Sequence, residues 1–131
     1  MGALRTPSAC KFLLISLVLV GLSSIPFVDA AKKFHIVGDS GSWGFYSYDT
    51  WASSRTFVAG DVVVFKYPEG AHNTVRVSES GYSSCEATEM ESMNAMRTGN
   101  DMYSLGKGDN YFICGIPGHC GAGMKIKIFA K

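Results

Sequence analysis

Beyond residue 30 the chain alternates short apolar stretches with turns rich in Gly, Pro, Asn and Asp. Residues 34–37 are β-prone and stop at Gly38, and residues 62–67 form an apolar, β-branched run framed by Gly60-Asp61 and Pro68-Glu69-Gly70. Residues 74–77 set Val75 and Val77 against polar neighbours, and residues 101–105 and 110–114 read as strands of similar length. Within residues 124–129, Ile126 and Ile128 alternate with Lys125 and Lys127. A half-buried antiparallel strand requires that alternation. About six or seven strands with turn signals between them predict an all-β sandwich, not βαβ units. Residues 85–96 are the exception: they are rich in helix formers and carry Met90, Met93 and Met96 at three-residue steps. A methionine row invites a copper-shuttling role. The simpler expectation is one helical or turn face packed on the sheet and ended by Gly99-Asn100.

Residues 1–30 follow another pattern. Arg5 and Lys11 precede an apolar run over residues 12–22, and Pro26 and Val28-Asp29-Ala30 follow it. A positive start, a short apolar middle and a small-residue exit define a secretory signal peptide. The run is too short for a membrane span, which takes roughly 20 apolar residues. The mature domain is therefore expected to be residues 31–131, secreted and without a membrane anchor. Its C-terminal residues 127–131 have neither the polar spacer nor the apolar tail of a lipid-anchor signal. Losing Arg5, Lys11 and Asp29 leaves ten basic and ten acidic residues. A neutral chain without a basic face gives no reason to expect a nucleic-acid partner.

Cys10 leaves with the leader, so the mature chain keeps Cys85, Cys114 and Cys120. In an oxidising compartment two of them pair and one thiol remains, and the count alone leaves all three pairings open. The segment YFICGIPGHCGAGM sets Cys114, His119 and Met124 at equal five-residue steps with Gly and Pro between. A strand ending at Cys114 and a loop that folds back would turn a thiolate, an imidazole and a thioether toward one point. His72, after Gly70-Ala71, is the best candidate for a fourth ligand. Two His and one Cys with a weak axial Met form the ligand set of blue-copper electron-transfer sites. Zinc is the competitor, but a structural zinc would recruit Cys120 beside His119, and adjacent side chains on extended backbone face opposite ways. The same argument turns Cys120 away from the metal and toward Cys85. A bridge there closes a long loop, worth about 3–4 kcal/mol in the chain-entropy model. His35 has no evident partner along the chain and reads as structural, as do Trp43, Trp51 and Phe65.

The pattern YFIC-x₄-HC-x₃-GMKI-x-I, with His72-Asn73 and Cys85 upstream, resembles the phytocyanins, plant blue copper proteins. Ile36-Val37-Gly38-x₄-Trp43 and Phe57-x₂-Gly60-Asp61 match as well, so the resemblance covers nearly all of residues 31–131. A Met at residue 124 is similar to the plantacyanin (basic blue protein) branch, whereas stellacyanin-like members carry Gln there and early-nodulin-like members have lost the ligands. The resemblance implies a cupredoxin-like Greek-key β-sandwich with short helical segments. It also implies one mononuclear type 1 copper on His72, Cys114, His119 and Met124, and a Cys85–Cys120 disulfide. The implied function is single-electron carriage between Cu(I) and Cu(II) in the apoplast or cell wall, by a monomer with an unidentified redox partner and no enzymatic activity. Electrons would pass through His119, with Ile116 and Pro117 as a small apolar docking surface. The alternative is an extracellular signalling or cell-wall interaction module in plant reproduction, with copper mainly structural. A copper enzyme such as a superoxide scavenger is disfavoured by the closed ligand set. The neutral charge departs from the "basic" of that branch.

Overall fold

A computed structural model describes residues 31–131, together with residues 2–4, 21 and 26. The signal-peptide reading of residues 1–30, with Cys10 and most of the apolar run, lies outside the described residues. In chain order the elements are β1 (Phe34–Ile36), α1 (Asp49–Ser53), β2 (Val62–Lys66), β3 (Val75–Val77), α2 (Glu79–Ser84), α3 (Glu89–Met93), β4 (Asn100–Ser104), β5 (Gly108–Ile113) and β6 (Lys125–Ala130). They build two three-stranded sheets, ordered β1-β2-β4 and β3-β5-β6. The chain passes from one sheet to the other between β2 and β3, again before β4, and again before β5. The expected sandwich is thus present. It is mixed, since β1 joins β2 in parallel while the other named pairs run antiparallel. Among the described residues no helix is long and apolar enough to cross a membrane.

Phe65 sits at the centre of the main core, wholly buried, with its ring against Trp43, Tyr103 and Phe112 at centroid distances of 4.9, 5.8 and 5.1 Å. From the second sheet Phe112, Ile126 and Ile128 point into the same layer, together with Cys114 and Met124. The core therefore reaches to the loop that joins β5 to β6. On the other face of that sheet, Val75, Val77, Ile113 and Cys120 form a smaller cluster with Tyr82, Cys85, Ala87 and Ala95. Short helices and a disulfide cover this face. Cys85 and Cys120 are bonded, with Cα atoms 5.6 Å apart, as the facing of Cys120 requires.

The segment 85–96 corrects one expectation. It is no single helical stretch: Cys85 caps α2 in the left-handed region at φ 57°, and a fresh start follows at Thr88, whose side chain accepts from the Glu91 N–H. The methionine face does not pack. Met90 and Met93 are 74% and 78% exposed, because the side of the segment turned to the sheet carries Ala87 and Ala95. Only Met96, past the helix, lies against the main core, where its backbone pairs with Thr74.

His35 has a partner that its sequence neighbourhood does not reveal. Its Nε2 lies 3.0 Å from Oδ2 of Asp61, whose carboxylate also accepts the Val58 and Lys33 backbone N–H groups. Burial acts to raise the Asp61 carboxyl, but these donors outweigh it and hold the group below its ordinary value of 3.8. An unfolded chain therefore takes up the proton first on acidification. The stabilisation is complete above about pH 4 and fades as pH falls through the folded value. Asp61→Ala is expected to cost about 2–3 kcal/mol at neutral pH by stranding these donors. Urea unfolding from pH 7 to 3 should show the acid decline shallower in the variant than in the parent.

Candidate metal centre

The β5–β6 connection is closed by main-chain bonds. The ladder ends at Ile113 opposite Lys125, and one step further the Cys114 N–H donates to the Met124 carbonyl at 3.0 Å. Inside that closure the Met124 N–H reaches the His119 carbonyl, and the His119 N–H reaches the Ile116 carbonyl, both at 3.1 Å. Gly118 turns the chain at φ 82°, where a side chain would be strained. The loop is thus a fixed frame with Cys114 and Met124 at its base and His119 near its tip.

His72 enters from the other side, just ahead of β3. Its position is set by the next residue, Asn73, which is buried and tied twice. The Asn73 side-chain oxygen accepts the Gly115 N–H at 2.6 Å, and its carbonyl accepts the Trp43 indole N–H at 2.9 Å. The first bond fastens the His72 segment to the residue after Cys114. It needs a glycine there: a Cβ on Gly115 would lie 2.9 Å from Val75 Cγ2 and 3.3 Å from the Asn73 side-chain oxygen.

These supports bring His72, Cys114 and His119 together, with one ligating atom of each lying within 4.8 Å of the others. The Nδ1 atoms of His72 and His119 are 3.2 Å apart, and Cys114 Sγ is 3.5 Å from His119 Nδ1. Nitrogens at about 2.0 Å and a sulfur at about 2.3 Å around one ion would stand about 3.3 and 3.6 Å from each other. These two pairs therefore already have the spacing of a single coordination sphere. Cys114 is buried and unbridged, and Met124 is wholly buried in the same core cluster. Burial, and then the neighbouring His119, push His72 below the ordinary histidine value, which keeps its lone pair free for a metal at neutral pH.

The sequence reading missed Phe45 altogether, and the role of Asn73. Phe45, 55% exposed, sets its ring edge-on to both imidazoles, at 4.8 Å from His119 and 5.5 Å from His72. Asn73 adjoins a candidate ligand, but its staple to Gly115 spans 42 positions and leaves no local pattern. The aromatic run from Trp43 to Tyr48 was the one available hint of Phe45. Near the tip Pro117 is exposed and Ile116 half-buried against the main core, so the apolar rim expected there is shared with Phe45.

A β-sandwich carrying one thiol, two imidazoles and a buried methionine at its end defines a mononuclear blue-copper protein of the cupredoxin type. Residues 39–124 match the plastocyanin-like domain family. The chain is 42% identical to "Chemocyanin" of Lilium longiflorum over 123 residues, 94% of each chain. Among solved structures it is similar to the cucumber basic protein, a blue copper protein, with 38% identity and a TM-score of 0.69 over 75% of this chain and 99% of that one. Spinach plantacyanin gives 42% identity and a TM-score of 0.63 over the same shares. The chain belongs to the phytocyanins, the plant family of plastocyanin-like blue copper proteins. Its cofactor is a single mononuclear type 1 copper, and its class is redox carrier, not enzyme.

Copper-loaded protein is expected to show an intense visible thiolate-to-copper band that Cys114→Ser abolishes; an absorption titration decides it. Gly115→Ala should cost about 1–3 kcal/mol through overpacking and weaken copper retention, read by thermal unfolding and by metal loss to a chelator.

Proposed function

We propose that residues 31–131 act outside the cell as a one-electron carrier, with His72, Cys114 and His119 as the residues that would hold the copper and Met124 as its fourth ligand. The observation that carries this reading is the convergence of one free thiol and two facing Nδ1 atoms on a single point. The positive start, apolar run and small-residue exit within residues 1–30 support export. Copper supplies the Cu(I)/Cu(II) couple.

The chain's own residues do the rest. Cys114 presents a soft sulfur that favours the reduced ion, and the imidazoles suit the oxidised one. Asn73 and the closed loop fix these groups through backbone hydrogen bonds, so little need move when the charge changes. Four protein ligands leave no open position for a substrate on the metal, and exchange must pass through the ligand edges. His119, bordered by Pro117 and Phe45, is the half-buried edge on that side. The domain works as a monomer making brief redox contacts, a class that buries less than about 1,200 Å². A net charge near zero selects no acidic partner.

Met124→Gln should lower the reduction potential, because a hard oxygen ligand favours Cu(II). Spectroelectrochemical titration measures it, and an unchanged or raised value removes Met124 from the ligand set.

A further inference from the structure

Phe45 does more than border the imidazoles. Its ring is also a wall of a cavity of about 270 Å³ lined as well by Tyr46, Tyr48, Asp49, Tyr82 and Lys125. The Tyr48 hydroxyl is occupied by the Gly44 N–H and the Ser42 carbonyl, so its ring acts as a surface only. Tyr46 stands 62% exposed. Lys125 is held at the cavity by a 3.0 Å bond to the Tyr82 carbonyl, with its ammonium 4.4 Å from the centre of the Tyr82 ring.

We propose that this cavity is the docking subsite for a small phenolic reductant; the proposal rests on the copper-carrier reading above and names its electron donor. The volume lies just below the usual range for small-molecule sites, about 300–1,000 Å³, and so takes one substituted ring but not a polymer or a protein segment. Aromatic walls favour a planar aromatic guest. The Lys125 ammonium complements the electron-rich oxygen of a phenol, and the Asp49 carboxylate at the same rim offers an acceptor for its hydroxyl hydrogen. A guest in the cavity touches Phe45, and Phe45 touches both imidazoles, which gives a short path through packed rings. In the step, one phenol loses one electron, which reduces Cu(II) to Cu(I). The hydroxyl proton leaves past Asp49 to water, and a neutral phenoxyl radical departs.

Catechol is the probe. An NMR titration of the diamagnetic Cu(I) protein should shift signals of Tyr46, Tyr82 and Lys125. Stopped-flow bleaching of the Cu(II) protein should saturate with catechol and stay linear with hexaammineruthenium(II). Tyr46→Ser and Lys125→Gln should each lower the catechol-to-ruthenium rate ratio about fivefold to tenfold, the worth of one aromatic or charged contact. Linear catechol kinetics with shifts confined to residues 116–119 would overturn the subsite while leaving the copper carrier intact. Cavity shifts produced by galacturonic acid but not by catechol would assign the site to a sugar and overturn it as well. Bleaching by neither reductant would reject the carrier and the subsite together.

Discussion

The ligand loop hangs on one extension of the β5–β6 ladder, the bond from the Cys114 N–H to the Met124 carbonyl. Nine residues lie between those two positions, and a free loop of that length could place its side chains almost anywhere. Closing its base in register with a paired hairpin, and pinning its interior through His119, removes that freedom before any metal arrives. Cys114 and Met124 are then held at the end of the main core, and His119 is the residue turned to the rim. The arrangement of donors follows from backbone hydrogen bonding more than from any attraction between the side chains.

The second sheet is covered on both faces, and this decides which sulfur stays free. One face meets the Phe65 core and carries Cys114; the other carries Cys120 beneath the short helices, where Cys85 meets it. With Cys120 bonded to Cys85, the Cys114 thiol is left buried and unbridged. The same bridge ties the α2–α3 segment to the loop that bears His119. The disulfide and the free thiol are thus both carried by the one loop that joins β5 to β6.

The exposed aromatic corner at Phe45 and Tyr46 has a different character from the buried site. Most large apolar side chains of the described domain are inside, yet both of these are exposed, and Phe45 stands beside the imidazoles. Phe45 contacts the two imidazoles, and the cavity it borders is lined by rings, one fixed ammonium and the carboxylate residue Asp49. Such a surface suits a flat, partly polar molecule better than a charged protein face, in keeping with the neutral charge of residues 31–131.

The strands were legible because a half-buried strand must alternate: Ile126 and Ile128 against Lys125 and Lys127 could hardly be anything else. Cys114 and His119 were legible as partners because they stand five residues apart within one short segment. The facing of Cys120 followed from the opposite directions of neighbouring side chains. The sequence could not reveal the parallel placement of β1, the Asp61 partner of His35, the Asn73 staple or the contact of Phe45 with both imidazoles. Those depend on segments 26 to 74 positions apart meeting in space, and no local period records such meetings. The methionine row misled for the same reason. Periodicity states which residues share a face, but only packing decides whether that face looks inward, and here two alanines took the inner side.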